Sequence, residues 1–204
     1  MVIDNETFKT FSKVGKILAM RGLNTSHSGN ISMLSGGKII IKKRAAMLGW
    51  LEPEDLIEAP LDYDDASVIL ASSELGVHRA IYQQTDAMAV IHAHTPYLTA
   101  LSLIEDDITC IDAEGLFLYK KIPVVECDIP IGPTEAAILV PEKLKDYPCC
   151  VVRSHGAFTR GAILEDALQV ITGCEQSARI RYLTMLSGKP LKRDYSKDKN
   201  LDLW

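Results

Sequence analysis

Apolar residues recur at helical spacing near the start of the chain, at Phe8, Phe11, Val14, Ile17 and Leu18, and Gly22 marks the end of that helix. Ser28-Gly29-Asn30-Ile31-Ser32 reads as a turn leading into a strand. Gly36-Gly37 reads as a hairpin turn before the strand Lys38-Ile39-Ile40-Ile41. Glu52 to Pro60 forms a loop with a short strand. Ser72-Ser73 then cap a helix that has Glu74 in its first turn and runs to about Gln84. Downstream the pattern predicts strand 88–92, a helix opening at Pro96, strands 108–112 and 123–127, a helix opening near Thr134, strand 149–153 and a short strand at 157–159. A long helix runs from about Leu164 to Leu186 and stops at Gly188. Helices and strands mix without a regular βαβ repeat, and several short strands adjoin with no helix between them. That predicts an α+β, three-layer domain over residues 1–188 rather than a dinucleotide-binding fold. The remainder, 189–204, is charged and carries Tyr195 and Trp204; it reads as a frayed end or as a flap over a neighbouring subunit's pocket.

Composition narrows the functional classes. The 204 residues fit one domain with its own core, and 47% apolar with 24% charged is ordinary for a soluble globule. A net charge of −5 gives no footprint for nucleic acid. No apolar run approaches the ~18 residues that span a bilayer, and Met1-Val2-Ile3-Asp4 lacks the basic start of a signal peptide. Cys110, Cys127, Cys149, Cys150 and Cys174 are odd in number and form no CxxC pair. They read as buried free thiols in a reducing cytoplasm, which argues against thiolate-bound zinc. Neither G-x-G-x-x-G nor a P-loop occurs.

The chemistry concentrates in histidines. His92-Ala93-His94 closes the apolar run Met88-Ala89-Val90-Ile91, and two residues two apart on a strand share a face. His155, in Ser154-His155-Gly156, follows the run Cys149-Cys150-Val151-Val152. Three imidazoles from two strand ends would make a zinc site with one position open, the layout of a catalytic metal. His78 stands four residues after Glu74 on the predicted helix, and either shares its face or is exposed. Ser72 and Ser73 at a helix start offer hydroxyls and free N–H groups to a phosphate, and Ser28-Gly29-Asn30 is a second small polar turn. Glu114, just past a strand, is either a turn residue or a general acid/base.

Together, Gly29-Asn30, Ser72-Ser73-Glu74, His92-Ala93-His94 and Ser154-His155-Gly156 resemble the class II aldolase/adducin superfamily from about Phe11 to Leu186. Leu48 to Leu56, and Ala113-Glu114-Gly115 through Ile122, are similar to the short archaeal-type aldolases of that family that act on fuculose phosphate. The resemblance implies a three-layer fold with a mostly antiparallel central sheet. It implies a divalent metal, usually Zn2+ with Mn2+ or Co2+ as alternatives, on His92, His94 and His155. Glu74 is then a fourth ligand or the base, and Gly29, Asn30, Ser72 and Ser73 hold a substrate phosphate. It further implies a homotetramer with sites between subunits, no nucleic-acid or membrane partner, and cleavage of a phosphorylated ketose to dihydroxyacetone phosphate through a metal-stabilised enediolate. Dehydratase, 4-epimerase and decarboxylase members use the same site. An adducin-like interaction module is the alternative without catalysis, and the intact histidines and Glu74 argue against it. Lys42-Lys43-Arg44-Ala45-Ala46 departs from the family's Thr-x-x-Gly-like turn, with Arg44 at the usual threonine and Ala45 at the usual glycine. Arg44 is expected to take over part of the anion contact.

Overall fold

The structure, a computed structural model, describes residues 3–198. In chain order the strands are β1 (Asn30–Ser35), β2 (Lys38–Lys42), β3 (Leu56–Pro60), β4 (Ala89–Ala93), β5 (Asp107–Thr109), β6 (Lys121–Val125), β7 (Cys149–Val152) and β8 (Gly156–Gly161). The helices are α1 (Asn5–Met20), α2 (Leu75–Gln84), α3 (Pro96–Ser102), α4 (Ala113–Leu118), α5 (Pro133–Asp146) and α6 (Leu164–Leu186). The strands form one sheet in the order β3-β2-β1-β4-β8-β7-β6-β5. Every neighbouring pair is antiparallel except β6 and β7, which α5 joins as a crossover. This is the α+β, mostly antiparallel architecture expected.

Strand side chains alternate between two apolar layers. Ile31, Ile91, Ala93, Val151 and Ala157 pack with Phe11, Leu98, Leu116, Leu164 and Ile171, the layer of α1, α3, α4 and α6. Ile39, Ile41, Val90, Cys150, Val152 and Phe158 pack with Leu75, Val77, Ile81, Ala136 and Val140, the layer of α2 and α5. Burial on both faces explains why the central strands read as unbroken apolar runs. It also sends His92, two residues after Val90, toward α2.

Some boundaries differ from the sequence reading. The α2 cap moves one residue: Glu74 itself occupies the N-cap, and Ser72 Oγ only accepts from the Glu74 N–H at 3.4 Å. β5 ends at Thr109 because the chain turns. Lys120, at φ 59°, folds its strand's start back so that the Cys110 N–H donates to its carbonyl. β6 correspondingly begins at Lys121, which pairs with Thr109. The expected turn around Glu114 is the short helix α4, capped by Asp112, whose carboxylate accepts from the Gly115 N–H at 2.9 Å. Six residues carry too little periodicity to announce a helix. All five cysteines are free and buried. No helix among the described residues is long and apolar enough to cross a membrane. In the tail, Tyr195–Lys197 forms a single 3-10 turn, and Trp204 lies outside the described residues.

Candidate metal centre

His92 sits near the end of β4, and His94 just beyond it. His155 enters from the tight turn between β7 and β8, where its N–H donates to the Val152 carbonyl at 3.0 Å. Ser154 in this turn has φ 63°, uncommon for a residue with a side chain. It is held there by neighbours. Its N–H donates to Ser102 Oγ at 3.1 Å, and Arg153 bridges Asp106 at 2.5 Å and Glu126 at 2.9 Å. The next residue after His155 must be glycine: a Cβ on Gly156 would lie 2.5 Å from the Ala93 carbonyl oxygen and 3.1 Å from the His92 ring. This close approach of β8 to β4 brings the three imidazoles together, with ring centroids 4.8 to 5.0 Å apart. Their ligand atoms all lie within 4.8 Å of one another.

The electrostatics suit a cation. His92 Nδ1–H donates to the Ala157 carbonyl at 3.0 Å, which leaves Nε2 as the bare nitrogen. Phe158 stacks on the ring at 4.2 Å and fixes its plane. Burial pushes the pKa of His92 well down, reinforced by His155 and His94; burial also lowers His94 and His155. Glu74 opposes the shift at His94 and His155, and the net direction favours the neutral imidazole, the form that binds metal. His92 Nε2 is buried with no hydrogen-bond partner, and it faces Glu74 Oε2 at 3.3 Å. Glu74 Oε1 lies 3.8 Å from His155 Nε2. The bare His92 nitrogen opposite a carboxylate is an acceptor facing an acceptor, and a divalent cation between them would resolve the conflict. The donor set fits a metal.

A cavity of about 180 Å³ opens beside this cluster, lined in part by Gly29, Asn30, Arg44, Ser72, Ser73, Glu74, His94 and His155. Asn30 reaches Glu74 directly, Nδ2 donating to Oε2 at 2.9 Å. Gly29, at φ 72°, packs so close that a Cβ would lie 2.3 Å from Asn24 Oδ1. That same Asn24 oxygen accepts from the His94 N–H at 3.1 Å. Ser73 and Arg44 are exposed at the cavity, and Ser72 is buried. Glu114 is not brought in. It is exposed in the first turn of α4, across the sheet from α2, and does not line the cavity of its own chain. A larger cavity of about 560 Å³ runs along β3 but carries neither imidazole nor thiol, so chemistry rather than size singles out the smaller one.

The sequence reading assigned Lys42 no role at the site. Lys42 is buried in the cavity wall, its ammonium donating to the His27 and Ala46 carbonyls at 2.9 and 2.7 Å. Burial pushes its pKa down to about 8, partly opposed by Asp55. The available signal was a lysine closing an inner strand of three isoleucines. His78, which the sequence allows either to share the Glu74 face or to be exposed, is fully buried behind Asn30.

Residues 9–182 match the class II aldolase and adducin N-terminal domain. The chain therefore belongs to the class II aldolase/adducin family, and it is one of the family's aldolase-type enzymes. An L-fuculose phosphate aldolase of Methanococcus maripaludis is 31% identical over 176 residues, covering 85% of this chain and 94% of that one. The crystal structure of L-fuculose-1-phosphate aldolase from Thermus thermophilus superposes with a TM-score of 0.86 at 32% identity, covering 93% of this chain and 100% of that one. A 3-oxo-tetronate 4-phosphate decarboxylase of Pectobacterium atrosepticum is 28% identical over 188 residues, 84% of this chain and 86% of that one.

Proposed function

We propose that this enzyme is a zinc-dependent aldolase that cleaves a phosphorylated ketose, such as L-fuculose 1-phosphate, to dihydroxyacetone phosphate and an aldehyde. One observation carries the reading: three imidazoles and a carboxylate converge beside a cavity whose wall also holds Lys42 and Arg44. His92, His94 and His155 would hold the zinc; Mn2+ and Co2+ suit the same donors. Bound there, the metal supplies Lewis-acid polarisation of the substrate carbonyl.

The chain's own residues do the remainder. Cleavage takes the proton from the hydroxyl that becomes the aldehyde and leaves an electron pair on a carbon of the three-carbon fragment. Glu74, a ligand or the free base before substrate arrives, takes up a proton from solvent water and delivers it to that carbon, returning to the carboxylate. The aldehyde oxygen needs a second acid/base, and Glu114 fills that role only from a neighbouring copy, as a homotetramer with sites between subunits would allow. Gly29, Asn30, Ser72, Ser73 and Arg44 hold the phosphate, and Lys42 adds a charge to the same wall. The free thiols support a cytoplasmic setting.

A second reading is decarboxylation of a phosphorylated sugar acid at the same site. Two cationic side chains in one cavity suit a substrate carrying both phosphate and carboxylate, and the decarboxylase relative supports it. Both readings share the metal centre, which His92→Ala tests. The variant should lose bound zinc and turnover together, and full zinc occupancy in it would contradict the ligand assignment.

A further inference from the structure

Glu74, His78 and Tyr82 recur every fourth residue from the start of α2, and Asn30 and Ser32 lie two apart on β1. The helical and strand periods therefore bring a polar row from each element face to face inside an apolar layer. Four contacts join them. Tyr82 Oη and Ser32 Oγ are 2.6 Å apart, Ser32 Oγ and His78 Nδ1 2.6 Å, His78 Nε2 and Asn30 Oδ1 2.5 Å, and Asn30 Nδ2 and Glu74 Oε2 2.9 Å. Asn30, Ser32, His78 and Tyr82 are all buried.

The end group fixes every proton in the row. A carboxylate only accepts, so Asn30 turns its NH2 to Glu74 and its carbonyl to His78. His78 Nε2 must then carry the ring proton. Burial pushes the His78 pKa down to about 3, so the ring is neutral and Nδ1 is a bare acceptor. Ser32 donates its one proton to Nδ1, and its oxygen accepts from Tyr82, whose phenol burial holds protonated. Each donor points toward Glu74.

We infer that the buried row Tyr82–Ser32–His78–Asn30 is a one-way hydrogen-bond relay that aims the Glu74 carboxylate, with His78 and Asn30 as positioning residues. This rests on the reading of Glu74 as the proton-transferring group. Packing alone does not call for such a row, because apolar side chains would fill the layer without desolvating four polar groups. The relay engages Oε2 and leaves Oε1 for proton transfer. Asn30 keeps one N–H for a ligand in the cavity.

The test compares His78→Phe, which removes both ring nitrogens, with His78→Gln, which restores a donor toward Asn30. His78→Phe should lower kcat roughly 10- to 100-fold, with KM and metal content within about twofold. His78→Gln should recover most of that loss, and on a Glu74→Gln background His78→Phe should cost little more. Unchanged kcat in His78→Phe, or a full additional loss on the Glu74→Gln background, overturns the relay. A 15N spectrum of the His78 ring decides independently of turnover and of whether the Phe variant folds. Protonated Nε2 with bare Nδ1 across neutral pH is expected, and a protonated Nδ1 overturns the proton order. Wild-type turnover in Glu74→Gln would instead remove the base assignment, and the spectrum would still judge the relay.

Discussion

Lys42 links the substrate pocket to pH at the scale of one residue. Burial lowers its pKa from 10.5 to about 8, so it loses its charge as pH rises through that value. A bound anion favours the charged form, so anion affinity should fall as pH rises through about 8, with a proton taken up on binding. Sulfate, which does not titrate in this range, reports the effect by calorimetry between about pH 6.5 and 9.5. Lys42→Met should flatten the profile and cost about 1.5–3 kcal/mol of binding at low pH; an unaltered profile would remove Lys42 from the anion site. The residue scale is also where sequence legibility divides. His92 and His94 were readable because period 2 puts them on one face, whereas the role of Glu74 came only with the family resemblance. Lys42 and His78 were not, because their roles depend on partners from other segments, the His27 carbonyl for Lys42 and the Asn30 amide for His78.

Glu175 stabilises a join between elements. From α6 its carboxylate accepts the Tyr97 and Leu98 N–H groups at 2.9 and 3.0 Å and so caps the start of α3, just past His94. Burial raises its pKa from 4.5 to about 7 against the opposing pull of those N–H groups. The native state therefore holds a proton that the unfolded chain releases. This contribution is fully present below pH 4.5 and is lost as pH rises through about 7, to an extent of up to about 3 kcal/mol. Chemical denaturation of the wild type and Glu175→Gln across about pH 4 to 8 isolates it: the difference between them should slope over that window, and a flat difference would contradict it. Gly156→Ala tests the other join, because its methyl would force β8 off the Ala93 carbonyl. It should destabilise the protein by about 1–3 kcal/mol and lower bound metal; unchanged metal content would show that the approach of β8 is not what gathers the histidines. The strands were legible as elements because they are buried on both faces. Their ends at Thr109 and Lys121 were not, because the positive φ of Lys120 and the cap at Asp112 set them.

For the whole molecule, the order of elements predicted the α+β layering, since adjacent short strands without intervening helices disfavour a regular βαβ fold, while the mostly antiparallel sheet was implied by the family resemblance. It did not reveal that Glu114 would stand across the sheet from the cavity of its own chain. The proposed tetramer makes that placement testable: Glu114→Gln should leave metal content unchanged and slow turnover, and unchanged turnover in an assembled oligomer would make Glu114 a bystander. The most direct measurement is release of dihydroxyacetone phosphate from L-fuculose 1-phosphate and related ketose 1-phosphates, with and without a chelator. The aldolase reading requires release that the chelator abolishes and added zinc restores. No release from zinc-loaded protein would contradict it.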